Sequence, residues 1–266
     1  MTSSTPDALW SAPSLPRLRP AGIAWTDLRR GRLLAGCSLE VAVGTRLLVV
    51  GEPEAGASLL LRVLAGLARP RRGRVEIAGS TDPSPEGWGR RVAYVGAQPG
   101  IRSWMTPRES LRLAADLLGL PAQAVEHRIA QVVAWTGIPS ALLDRSIRRG
   151  AEVAQRTAMA CALLGDPEVL LLDEPLRSVG TAERRRILQL PGARRTMILA
   201  SRSPATEEGL VSHVALLRRG RISLVAPVRD LEAAGLPLTT AGIAALADLH
   251  AAIAPASPSA QISATR

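Results

Sequence analysis

Residues 44–67 read GTRLLVVGEPEAGASLLLRVLAGL, and residues 165–175 read GDPEVLLLDEP. In the first stretch the run Thr45 to Val50 suits a buried strand and closes on Gly51. Ser58 to Leu67 then has the apolar density of a helix. A strand, a glycine-bounded loop and a helix N-terminus together form a site where backbone N–H groups face an anion. Gly51, Gly56 and Ser58 fill the two glycine positions and the hydroxyl position of the phosphate-loop pattern G-x-x-x-x-G-K-[ST]. In the second stretch the unbroken apolar run Val169 to Leu172 reads as a strand covered on both faces, and it ends in Asp173-Glu174. Two carboxylates at such a strand end suit a Mg2+ ion and an attacking water.

Around these stretches strands and helices alternate, which is the α/β pattern. Arg74 to Ala78, Arg91 to Val95, Thr196 to Ala200, His213 to Leu217 and Arg221 to Val225 read as strands. Pro107 to Leu120 and Pro121 to Trp135 read as helices opened by proline. Ala151 to Leu164 and Ala182 to Leu190 are further helices. Asp230 to Ala252 reads as one or two helices, with Gly235-Leu236-Pro237 as the break. The Ser- and Pro-rich ends, residues 1–20 and 254–266, read as disordered tails.

Net charge is +10, and every one of the 33 basic residues is arginine; lysine, asparagine and phenylalanine are absent. The arginines fall in short scattered clusters with few aromatics between them, so nucleic-acid binding is disfavoured and a solvated or membrane-facing surface is expected. No run of ~18 apolar residues predicts a membrane span, and the N-terminus lacks a signal-peptide core. A cytoplasmic protein is expected, with any bilayer crossing done by another chain. Cys37 and Cys161 have no metal-ligand spacing and read as ordinary thiols in a reducing compartment.

The collinear series GCSLEVAVG, the phosphate loop, LLRVLAGLARPRRGRVEIAG, TPRESLRLAADLLGL, QRTAMACALLGDPEVLLLDEP and HVALLRRGRI resembles the ATP-binding subunit of ABC transporters over about residues 22–226. The resemblance implies a P-loop NTPase-type cassette with a mixed-sheet RecA-like core, an antiparallel β subdomain and an inserted helical subdomain. The cassette would occupy residues 21–228, its helical subdomain about 105–155, with a C-terminal helical extension over 229–253. The implied ligands are ATP and Mg2+. The nucleotide would meet Gly51, Glu52, Pro53, Glu54, Ala55, Gly56, Ala57, Ser58, Gln98 and Asp173. Ser58 and Asp173 would hold Mg2+, and Glu174 would be the catalytic base. The alternative for Asp173 and Glu174 is that they persist as relics or as hydrogen-bond partners.

Several positions depart from the family. Ala57 stands where the phosphate-gripping lysine belongs, and no lysine elsewhere in the chain can replace it. A charge-assisted bond of about 1.5–3 kcal/mol is thereby lost, roughly a 10- to 150-fold weakening. Glu54 replaces a glycine, Glu52 adds a second carboxylate, and Pro53 has no N–H to offer. The signature motif falls on Arg149-Gly150-Ala151-Glu152-Val153, with Glu152 in place of a glycine that touches the partner's phosphate. Ala97 takes the place of the Q-loop glutamine, with Gln98 adjacent. Arg202 stands for the switch histidine, Gly180 for the D-loop aspartate, and Leu28, with Trp25 nearby, for the adenine-stacking aromatic.

These departures favour a non-hydrolysing structural or regulatory half of a transporter. Its expected partners are a separate transmembrane permease and a second, different cassette, at the inner face of the cell membrane. The alternatives are an active ATPase energising a transporter and a soluble nucleic-acid-associated cassette. Trp104 and Met105 form a candidate exposed pair for a membrane partner; the other reading packs both beneath the helices.

Overall fold

The structure, a computed structural model, describes residues 22–51, 56–148, 150–190, 195–253 and 261–262. The described residues divide into two compact units, one within residues 22–94, 168–174 and 195–262, the other within residues 95–167 and 175–190.

The first unit is built on two sheets. Ile23–Arg30 (β1) pairs antiparallel with Leu34–Val41 (β2) on one side and with Arg72–Ile77 (β4) on the other. Strand β1 begins with strict alternation, burying Ile23 and Trp25. A register shift between Trp25 and Leu28, with Asp27 at φ 47°, then inserts one residue and turns Leu28 inward as well. The sequence reading assigned neither β1 nor β2 from its own pattern, because this bulge breaks the period of two.

The second sheet contains Arg46–Gly51 (β3), Val92–Val95 (β5), Val169–Asp173 (β6), Thr196–Ala200 (β7), His213–Arg218 (β8) and Arg221–Pro227 (β9). Its order is β5-β6-β7-β3-β8-β9. Strands β6, β7, β3 and β8 run parallel and β9 returns antiparallel, so the sheet is mixed as expected. Strands β6 and β7 are buried at every position. Their unbroken apolar runs follow from coverage on both faces.

Helix Ala57–Leu64 (α1) buries Leu60, Leu61, Val63 and Leu64 against β3, β6 and β7. It ends three residues before the Leu67 expected from the apolar run. Gly66 adopts φ 72° and its N–H bonds Val63 in a tight turn, which stops the helix. At the C-terminal end, Val228–Ala233 (α6) and Thr240–Ile253 (α7) are two helices, with the break where Gly235 and Pro237 place it. Gln261–Ile262 (β10) pairs parallel with β2, inside a span expected to be disordered.

The second unit is helical. Pro107–Leu118 (α2), Ala122–Thr136 (α3) and Ala151–Leu164 (α4) pack on one another, and Thr181–Leu188 (α5) belongs to the same unit. Helix α2 is fixed at its start by a capping box: the Thr106 hydroxyl accepts from the Glu109 N–H at 3.1 Å, and the Glu109 carboxylate accepts from the Thr106 N–H at 2.8 Å. Among the described residues the unit extends beyond 105–155 on both sides and takes in 175–190.

Candidate nucleotide-binding site

Strand β3 lies at the centre of the second sheet, between β7 and β8, and ends at Gly51. Helix α1 begins six residues later, with Gly56 as its N-cap at φ 93°. A Cβ at position 56 would lie 2.6 Å from the carbonyl oxygen of Leu33, so both the dihedral and the space require glycine. Glu52, Pro53, Glu54 and Ala55 lie outside the described residues. Ala57 is the first residue of α1 and packs against the core of the sheet.

Parallel pairing brings Ser58 of α1 to the end of β6. The Ser58 hydroxyl donates to Asp173 Oδ1 at 3.0 Å. The other oxygen, Oδ2, accepts from the hydroxyl of Tyr94 at 3.3 Å. Asp173 is 5% exposed. Two hydroxyl donors therefore satisfy a carboxylate that is nearly closed to water. Burial first, and then the charge of Asp173, push the Tyr94 phenol up to about 12.

Glu174 follows with φ 50°, a left-handed backbone uncommon for a residue with a side chain. Its N–H donates to the Ala200 carbonyl at 3.0 Å, and its Oε1 accepts from the Arg202 N–H at 2.5 Å. The Arg202 guanidinium stays 3.9 Å away and largely in water, so the backbone amide is the stronger partner. Arg202 thus contributes here through its main chain.

Ser58 and Asp173 lie within hydrogen-bond distance and Glu174 follows Asp173 in the chain; Tyr94 and the Arg202 amide are further partners that the sequence reading missed. Tyr94 is the only tyrosine in the chain, which was the one available signal. Trp25 and Leu28 do not offer a ring to a base. Both are buried, and the Trp25 indole donates to Cys37 Sγ at 3.2 Å. Burial raises the Cys37 and Cys161 thiols to about 11 and about 12, which keeps them protonated and unreactive.

In the helical unit, Gln98 lies exposed in the segment after β5. Arg149 is outside the described residues, and Gly150 caps α4 without a side-chain bond. Arg156, one turn further along α4, donates to Glu152 Oε1 at 2.7 Å, to Glu183 Oε1 at 3.1 Å and to the Thr136 carbonyl at 2.6 Å. Gln155 accepts from the Ser178 N–H at 2.7 Å, and Gly180 caps α5. The expected Trp104–Met105 pair is only half exposed: Trp104 is 65% open, while Met105 is buried and its carbonyl accepts from the Ile147 N–H.

The oxygen donors of Ser58 and Asp173 suit a hard cation such as Mg2+. On the phosphate side Ala57 offers a methyl group, and residues 52–55 of the loop lie outside the described residues. No described helix is long and apolar enough to cross a membrane.

A family model described as ABC transporter matches residues 34–177, more than half of the chain. The chain is 32% identical over 198 residues to an uncharacterized ABC transporter ATP-binding protein of Nostoc sp. (strain PCC 7120), covering 71% of this chain and 58% of that protein. It is 35% identical over 185 residues to an aliphatic sulfonates import ATP-binding protein of Burkholderia cenocepacia, covering 66% of each. It therefore spans somewhat less than two thirds of these relatives. In fold it is similar to an ATP-binding subunit of an ABC transporter, with TM-score 0.70 and 24% identity over 79% of this chain and 92% of that one. A dimeric cassette, MJ0796 bound to ADP and Pi, gives TM-score 0.69 and 16% identity over 78% of this chain and 99% of that one. The chain belongs to the ABC transporter family, as an ATP-binding cassette with an α/β core.

Proposed function

We propose that this cassette is a weak or non-hydrolysing half of a transporter, serving a structural or regulatory role. The observation that carries this reading is Ala57, a methyl group at the first residue of α1 in a chain that contains no lysine. ATP and Mg2+ are the family's ligands; here the phosphates would lose a charge-assisted bond and face Glu52 and Glu54. Glu152 supports the same reading. Its carboxylate occupies a position where the family offers glycine to a partner's nucleotide, and Arg156 holds it in an ion pair. Two copies of this chain would build no intact composite site, so the partner cassette is a different chain. A separate transmembrane permease completes the complex, with the cassette peripheral to the inner face of the cell membrane. The relatives named for import support that setting.

Calorimetry of the purified chain with Mg-ATP tests the proposal. Binding weaker than the millimolar range is expected, and micromolar affinity would overturn it. Ala57→Lys alone is expected not to restore tight binding, because Glu52 and Glu54 remain.

A second reading, an active ATPase, is favoured by the Ser58–Asp173 hydrogen bond and by the carboxylate of Glu174 just beyond the end of β6. Mg-ATP turnover that Glu174→Gln abolishes would establish it.

A further inference from the structure

We propose that the Tyr94 hydroxyl and a hard divalent cation are alternative partners of Asp173, so that Tyr94 is a positioning residue that holds this carboxylate against the cation. Asp173 is nearly closed to water, and each of its oxygens accepts from one hydroxyl, Oδ1 from Ser58 and Oδ2 from Tyr94. The two donors differ in what they leave open. Ser58 is exposed in the first turn of α1, and its oxygen keeps lone pairs for a cation while its proton lies towards Oδ1. Tyr94 is half-buried on β5, the neighbour of β6 in the sheet, and its ring packs against the core of the first unit. The phenol is therefore held beside Oδ2 by packing, independently of the hydrogen bond it makes there.

A cation at this place depends heavily on Asp173. Among the described residues no group of three or more His, Cys, Asp or Glu side chains could hold a metal, and Oε1 of the adjacent Glu174 already accepts from the Arg202 N–H. A divalent ion approaching Oδ2 meets the phenol proton on the same oxygen, and like charges repel. The hydroxyl must turn away, and a charge-assisted hydrogen bond is lost. Tyr94→Phe keeps the ring and removes only the hydroxyl. It leaves Oδ2 buried without a donor, and the cation becomes the group that can satisfy it. Only the metal side is involved, since Ala57 takes no part. A metal titration without nucleotide and the ATP calorimetry above can therefore fail independently.

The test is titration of the full, nucleotide-free chain with Mn2+, in wild type and Tyr94→Phe, read by the electron paramagnetic resonance of free Mn2+. Tyr94→Phe is expected to bind Mn2+ about tenfold or more tighter, and Tyr94→Phe/Asp173→Asn to lose that gain. A hydroxyl with only a structural role would lower the urea midpoint of Tyr94→Phe and leave its Mn2+ affinity unchanged. Equal or weaker Mn2+ binding by Tyr94→Phe would overturn the proposal, as would a gain that survives Asp173→Asn. Because Tyr94 is the only tyrosine, 3-fluorotyrosine labelling gives a single ¹⁹F resonance in the unsubstituted chain, which serves even if a variant fails to fold. That resonance is expected to move saturably with Mg2+. A resonance that stays fixed at Mg2+ concentrations that displace Mn2+ would mean that hydroxyl and cation share the carboxylate, and the proposal would fall.

Discussion

Asp173 shows how much a single side chain depends on its neighbours at this site. It reads in the sequence as a metal ligand, and in the fold both of its oxygens accept from hydroxyls, Ser58 and Tyr94. That arrangement satisfies a buried carboxylate without a cation, so Asp173 has a structural use whether or not Mg2+ binds. Gly56 is the other residue whose role is local and strict. Gly56→Ala must place a Cβ at φ 93° and against the Leu33 carbonyl. A loss of about 1–3 kcal/mol is expected, to be read as a lower urea midpoint with an unchanged m-value. An unshifted midpoint would mean that the loop relaxes around the methyl.

Helices α3, α4 and α5 of the helical unit meet in a charged network. Arg156 on α4 bonds Glu152 on its own helix, Glu183 on α5 and the carbonyl at the end of α3, and Arg186 closes the group onto Glu183 and the Trp135 carbonyl. Hydrogen bonds from Arg186, and then from Arg156, outweigh burial and hold the Glu183 carboxyl at about 2, against an ordinary 4.5. The folded-state value is depressed, so the stabilisation is present above pH 4.5 and is lost as the pH falls towards 2. Urea midpoints measured down this range should fall in the wild type. They should fall less in Glu183→Gln, which starts lower and has no such proton to take up. Because Glu183 is partly open to solvent, the effect is modest and salt-sensitive.

For the whole molecule the question is what two copies do together. Each copy would offer its partner a phosphate loop without lysine and a signature segment carrying Glu152. ATP is therefore expected not to drive self-association. Light scattering with and without Mg-ATP, using Glu174→Gln to trap any nucleotide-bound pair, checks this; an ATP-dependent doubling of mass would contradict it.

The sequence determined the family, the α/β core and a composition without lysine. Strands β3 and β6 were legible because strands covered on both faces leave unbroken apolar runs, and Ala57 was legible because a covalent inventory needs no coordinates. Strands β1 and β2 were expected only through the resemblance, since the bulge at Asp27 erases their alternation. Tertiary structure alone decided that Tyr94 reaches Asp173, that the Arg202 amide holds Glu174, that Trp25 spends its indole on Cys37, and that Arg156 of α4 also reaches Glu183 of α5. Most of these contacts depend on hydrogen-bond direction between residues distant in the chain, or on a one-residue shift in register. Neither leaves a period or a spacing in the sequence from which it can be read.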